Sequence, residues 1–183
     1  MNQQTEDYYN QRPNGGDRMK TWFHLEKALK YAHIELPQRP RILDLGCASG
    51  IGAAMMAEEL NAMVVGVDFS FARIKRGMEH RNELVMFQMR DVFEYCEETI
   101  KTTQRFNVVT IFDLLEHLNT PEYLIDVALK TLLPGGVVFA RVPKDHVDPA
   151  HVWVFKTQNV FHNLLLPTRS FEYNNGFYGV WEL

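Results

Sequence analysis

The side chains able to do chemistry recur at comparable places along this chain. Asp44 opens the run Asp44-Leu-Gly46-Cys47-Ala48-Ser-Gly50. Asp68 and Asp91 each follow a short apolar run, Met63-Val-Val-Gly-Val67 and Leu84-Val-Met-Phe-Gln-Met89. Asp113, Glu116 and His117 follow another, Phe106-Asn-Val-Val-Thr-Ile-Phe112. His146 and His151 sit in the stretch Pro143-Lys-Asp-His146-Val-Asp-Pro-Ala-His151-Val-Trp153-Val-Phe155. Carboxylates accept from hydroxyl and ammonium groups, and imidazole takes and gives a proton near neutral pH. The pattern describes a site that holds a polar ligand and moves a proton.

The elements that must carry these groups alternate. Apolar runs at 41–45, 63–67, 84–89, 106–112 and 137–142 read as strands. Between them, residues 51–60, 70–81, 92–103 and 121–132 read as helices. Thr120-Pro121 reads as a helix cap and Leu133-Pro-Gly-Gly136 as a tight turn. Residues 155–165 form a further helix, and Ser170–Tyr173 and Phe177–Trp181 a hairpin around Asn174-Asn175-Gly176. Strands that are apolar throughout need cover on both faces. The expected fold is α/β: a doubly wound, seven-stranded, mostly parallel sheet with a C-terminal antiparallel hairpin. Ahead of it, residues 1–39 read as an arm and helix on the substrate side. Residues 40–183 form the ligand-binding domain. Met19, Trp22, Leu25, Leu29 and Ala32 give residues 18–35 one apolar face, with His24 and His33 expected on the solvated side. Residues 70–81 carry a basic exposed side at Arg73, Lys75 and Arg76.

The glycine turn selects among ligands. Dinucleotide folds use G-x-G-x-x-G, and here the second and third glycines are replaced by Ala48 and Ile51. No lysine follows the turn, so it is not a P-loop. An oxidoreductase is therefore disfavoured. Asp44-Leu-Gly-Cys-Ala-Ser-Gly50, Val65-Gly-Val-Asp68, Asp91-Val92, Phe112-Asp113-Leu-Leu-Glu-His-Leu118 and Leu133-Pro-Gly-Gly136, in this order, resemble the successive motifs of class I S-adenosylmethionine-dependent methyltransferases. The likeness runs from about residue 40 to the end of the chain.

That resemblance implies a Rossmann-like methyltransferase fold with S-adenosylmethionine as cofactor. It implies that Gly46, Ala48 and Gly50 leave room for the methionine part, with Cys47 as a small turn residue. Asp44 orders the turn or meets the ammonium group. Asp68 takes the ribose hydroxyls, Phe69 lies against adenine, and Asp91 and the Val92 backbone meet its amino edge. Asp91 also reads as a helix N-cap. Phe112 and Asp113 complete the cofactor side. His117, His146 and His151 are the candidate catalytic residues. Tyr8, Tyr9, Glu116 and Trp153 are candidates for the acceptor side, while Phe155 reads as a loop anchor. Asp113, Glu116, His117 and His151 also resemble the metal set of methyltransferases acting on RNA 3′ ends. The first acid and the histidine spacing differ from that pattern, so no metal is assigned.

Composition bounds the partners. The 183 residues suit one globular domain, with 46% hydrophobic residues. A formal net charge of −4 gives no electrostatic pull toward nucleic acid. Two cysteines without metal spacing fit a reducing compartment, and no leader or membrane span is apparent in the sequence, so a cytoplasmic protein is expected. The expected function is S-adenosylmethionine-dependent methyl transfer to a small-molecule oxygen, in a sugar or other metabolite. The alternatives are a metal-assisted RNA 2′-O-methyltransferase and a non-catalytic cofactor-binding subunit.

Overall fold

The computed structural model of the chain describes residues 20–183. Tyr8, Tyr9 and Met19 lie outside the described residues. Helix α1 (Lys20–Ala32) precedes strand β1 (Arg41–Leu45). Then follow α2 (Ile51–Leu60), β2 (Met63–Asp68), α3 (Phe71–Gly77), β3 (Val85–Met89), α4 (Val92–Ile100), β4 (Phe106–Phe112), α5 (Pro121–Leu129) and β5 (Leu132–Pro143). Helix α6 (Gln158–Leu165) leads to the hairpin β6 (Arg169–Tyr173) and β7 (Gly176–Glu182). Short 3-10 turns follow α3 (Met78–His80) and β4 (Leu115–His117).

The seven strands run in the order β3-β2-β1-β4-β5-β7-β6. The first five are parallel, and β7 pairs antiparallel with both β5 and β6. Strand order reverses between β1 and β4, where Leu45 lies opposite Ile111. Loops leaving the carboxyl ends of these two strands diverge, and that crevice is where ligands bind in open α/β sheets.

Alternation within each strand feeds two separate cores. Leu43 and Leu45 face the side covered by α4, α5 and α6, where Cys96, Leu124, Ile125, Phe161 and Leu165 are buried. Ile42 faces the side covered by α1, α2 and α3, with Leu25, Ala28, Met56 and Ile74. Each fully buried Leu or Phe stabilises the fold by about 1.5–3 kcal/mol. Helix α1 is part of the second core, so it is fixed on the sheet.

Several sequence expectations change. Helix α4 ends at Ile100 and α5 at Leu129, and α6 begins at Gln158 behind the Thr157 cap. Leu133–Gly136 is a bulge within β5: Phe106 pairs with Leu132, but Val108 pairs with Val137. Thr120 caps α5 without a side-chain bond, and its carbonyl accepts from Tyr123 and Leu124 instead. His24 is buried rather than solvated, because its Nδ1 is hydrogen-bonded to Tyr178 Oη at 2.6 Å. A buried polar ring needs such a partner.

Candidate active site

The site is built from the glycine turn upward. Gly46 and Gly50 both hold φ near +76°, and Ala48 holds φ 51°, so the chain reverses within a few residues. The room expected at the two glycines is taken by protein. A Cβ on Gly46 would stand 3.1 Å from Leu114, and one on Gly50 would run into the Phe87 ring. Both glycines therefore serve backbone conformation and helix–sheet packing. Turn amides are tied down in turn: Gly46 and Cys47 donate to Val67 O at 2.8 and 3.1 Å. Cys47 is buried against Gly66, and burial together with Asp68 and Asp44 pushes its thiol well above the usual range. Such a thiol is no nucleophile.

Two buried carboxylates flank the turn. Asp68 Oδ2 accepts from Ala48 N–H at 3.0 Å and Oδ1 from Ser70 N–H at 2.9 Å. Each oxygen keeps a further acceptor position. Burial raises the Asp68 carboxyl, with Arg73 opposing; Arg73 is accordingly half-buried rather than on the exposed side of α3. Asp44 Oδ1 accepts from the Thr110 hydroxyl at 2.7 Å, whereas Oδ2 is buried without a partner. Desolvation pushes Asp44 up to about 7. An orphaned, buried acceptor beside a glycine turn fits a donor such as an ammonium group. Asp91 caps α4, with Oδ1 accepting from Phe93 N–H at 2.8 Å and Glu94 N–H at 3.3 Å. Val92 turns its side chain into the core, and Phe69 is half-buried at the end of β2.

Strand β4 ends at Phe112, which is buried and meets the His24 ring edge-on with centroids 5.6 Å apart. Asp113 follows at φ 54°, a conformation uncommon outside glycine. Its N–H donates to Arg141 O at 2.9 Å, and its carboxylate is paired with the Arg141 guanidinium. The 3-10 turn then buries Glu116 to 1% exposure, with Oε2 lacking a partner. Burial, reinforced by Asp113, pushes the Glu116 carboxyl well above the usual range.

The segment after β5 is clamped onto that turn. Asp145 N–H donates to Phe155 O at 2.9 Å, and the N–H groups of Val152 and Trp153 donate to Glu116 O at 2.8 and 3.0 Å. Trp153 Nε1–H donates to Leu118 O at 2.9 Å, so its indole is bound to the turn as well. Phe155 is 1% exposed and anchors the loop in the core. The clamp gathers the histidines: ring centroids of His117 and His151 lie 4.6 Å apart, and those of His146 and His151 5.1 Å. Burial lowers His117 to about 4, so it is neutral and a weaker proton acceptor than the sequence suggests. The sequence did not single out Arg141, Tyr178 or His24, which line the same edge. Arg141 and Tyr178 lie opposite each other in β5 and β7, and His24 lies on α1; no motif in the sequence marks them.

Acids at the carboxyl ends of β1, β2 and β4 around a glycine turn, at the point of strand reversal, agree with the comparisons. A family model described as a methyltransferase domain matches residues 20–171. The chain belongs to the class I S-adenosylmethionine-dependent methyltransferases. Among curated relatives, the ubiquinone biosynthesis O-methyltransferase of Salmonella arizonae is 31% identical over 136 residues. That match covers 64% of this chain and 54% of the relative. This methyltransferase thus spans about half the length of the curated relatives it matches. Among solved structures, a DhpI–SAH complex aligns with a TM-score of 0.71 and 19% identity, covering 96% of this chain and 93% of that one. The N-methyltransferase NodS from Bradyrhizobium japonicum WM9, solved with S-adenosyl-L-homocysteine, aligns at 0.65 with 17% identity, covering 90% and 86%. These likenesses show the fold of the methyltransferase. Among its described residues, no helix is long and apolar enough to cross a membrane.

Proposed function

We propose that this methyltransferase transfers the methyl group of S-adenosylmethionine to a hydroxyl oxygen of a small molecule. The observation that carries the choice of oxygen is the cluster of Glu116, His117, His146 and His151, joined by the clamped loop after β5 at the same sheet edge as the glycine turn. An oxygen acceptor must lose a proton as it reacts, and such a cluster can hold and relay one. The O-methyltransferase relatives support the same choice.

S-adenosylmethionine supplies the electrophilic methyl on a sulfonium. The chain supplies binding and placement. Asp44 Oδ2 receives the ammonium group, and Asp68 keeps its two backbone bonds while accepting from the ribose hydroxyls. Phe69 and the α4 start, with Asp91 and Val92, border the adenine end. Phe112 and Asp113 separate cofactor from acceptor, and Arg141 holds Asp113 in place. His151 and His146, the more accessible members of the cluster, orient the acceptor hydroxyl and pass its proton outward. Trp153 walls the acceptor side by virtue of its bond to Leu118 O. Tyr8 and Tyr9, outside the described residues, are proposed as further acceptor contacts.

Incubation with methyl-labelled S-adenosylmethionine and a panel of phenols, sugars and hydroxy acids tests this reading. Label recovered as a methyl ether supports it, whereas a methyl ester, formed on a carboxylate with no proton to lose, does not. Label recovered only on amines, or none recovered from any acceptor while the cofactor binds, overturns the choice of oxygen.

A further inference from the structure

Arg141 stands near the carboxyl end of β5, opposite Phe112 of β4 on one side and Tyr178 of β7 on the other. Its side chain is 11% exposed. A guanidinium carries five N–H donors, and those on Nε and Nη2 form a side-on fork. The firm bond of Arg141 lies outside that fork, where Nη1 donates to Asp113 Oδ1. Nη2 reaches Asn175 O at 3.4 Å, a long bond. That carbonyl already accepts from Lys144 N–H at 3.0 Å, so it does not depend on the arginine. Nε is buried without a partner. A buried cationic donor left unspent is costly, and a ligand acceptor supplies what it lacks.

The hairpin leaves room beside that fork. Asn174 and Asn175 take the positive φ of its turn, at 44° and 56°, so the turn does not need Gly176 for that purpose. A Cβ on Gly176 would instead stand 2.5 Å from Arg141 Nε and 2.9 Å from Nη2. The missing side chain is therefore what keeps the space next to those two nitrogens clear. Asn174 and Asn175 are exposed, so the approach past the tip is from solvent. Tyr178 is fully buried, and its hydroxyl is bonded to His24 Nδ1 at 2.6 Å. Arg141 opposes the burial that pushes this hydroxyl up to about 12. On the other side of the guanidinium, Asp113 leads into the turn that carries Glu116 and His117. Arg141 also acts electrostatically on the Glu116 carboxyl. The fork and the histidine cluster are thus neighbours, joined through Asp113.

We propose that Arg141 receives a carboxylate of the methyl acceptor on Nε–H and Nη2–H, and that the substrate is a hydroxy acid. A planar carboxylate matches two parallel N–H donors, and the bond from Nη1 to Asp113 stays in place. The ligand displaces the long contact to Asn175 O and satisfies the buried Nε. Neutral sugars and phenols lack the charge that such a fork rewards. That the bound carboxylate belongs to the molecule being methylated rests on the function proposed above. The carboxylate is then the anchor, and the hydroxyl is the group left for the histidines to orient.

The test is calorimetric titration of the full chain, in the presence of S-adenosylhomocysteine, with benzoate and with benzamide, which share a shape and differ in charge. Benzoate is expected to bind at one site, at least tenfold more tightly than benzamide. Arg141→Gln should weaken benzoate tenfold or more. Gly176→Ala keeps the guanidinium but fills the space beside its fork, and should weaken benzoate by a similar factor. Cooperative urea unfolding reports that both variants are folded. No saturable binding of benzoate to wild type, equal binding of benzamide, or benzoate affinity unchanged in either variant overturns the proposal. Label transfer to hydroxyl groups is measured apart. Its failure with every acceptor removes the oxygen reading, while the benzoate titrations still decide the part of Arg141.

Discussion

Replacing Asp44 with asparagine should stabilise the cofactor-free protein at alkaline pH and weaken its hold on the cofactor. Asp44 is 2% exposed, and its carboxyl titrates at about 7 against an ordinary 3.8. A displacement of that size is worth about 4 kcal/mol. For a raised carboxyl, the stabilising contribution of the protonated form is complete below pH 3.8 and is lost as pH rises through about 7. In the Asp44→Asn variant the side-chain amide oxygen would still accept from Thr110 Oγ1, and the group would carry no charge. Its amide would leave N–H groups where Oδ2 stands without a partner, at a cost of about 1–3 kcal/mol. The net expectation at pH 8 is a variant about 1–3 kcal/mol more stable than wild type, the difference between the relieved charge burial and that cost. That advantage vanishes or reverses near pH 5. Urea unfolding of both proteins at pH 5, 6, 7 and 8, without cofactor, measures it. A variant less stable at every pH, or a difference that does not change with pH, would refute the reasoning about Asp44. In the same preparation, S-adenosylhomocysteine should bind Asp44→Asn at least tenfold more weakly.

Other substitutions probe the remaining parts of the site. Gly50→Ala places a Cβ at φ 76° and against Phe87, and should cost about 3 kcal/mol or more in urea unfolding. Tyr178→Phe removes the bond to buried His24 and should lower stability by about 1–3 kcal/mol, read from the same unfolding midpoint. Trp153→Phe keeps an aromatic ring but loses the bond to Leu118 O. It should cost about 1 kcal/mol and speed amide hydrogen exchange at residues 152 and 153.

Most of the sheet was legible because its strands are apolar throughout and end in turn chemistry. The β1 turn could be read from Asp44, Gly46 and Gly50 alone, since positive φ and a strand-end acid leave few alternatives. The hairpin was legible from Asn174-Asn175-Gly176. Helix ends were not: no glycine or proline interrupts either stretch, 92–103 or 121–132, after its first turn, yet the N–H groups of Lys101, Thr102 and Thr131 turn back to carbonyls of Glu98, Thr99 and Ala128 and close the helices. The Leu133–Gly136 bulge looks like a free turn in sequence, and only the register against β4 shows that the strand runs through it. His24 was misplaced because its partner, Tyr178, is 154 positions away. The meeting of Glu116 and His151 was hidden for a similar reason. It depends on main-chain bonds from Val152 and Trp153, and backbone amides carry no residue-specific signal in sequence. The same clamp brings His151 to Glu116 and His117.

Calorimetric titration of the full chain with S-adenosylhomocysteine, in wild type and Asp68→Ala, tests the cofactor assignment most directly. Asp68 both braces the turn through Ala48 N–H and is placed to accept from the ribose. Charge-assisted bonds of this kind are each worth about 1.5–3 kcal/mol. One-to-one binding to wild type, weakened by a factor of about 10–100 in Asp68→Ala, is the expected result. No measurable binding to folded wild type, or equal affinity in the two proteins, would contradict it.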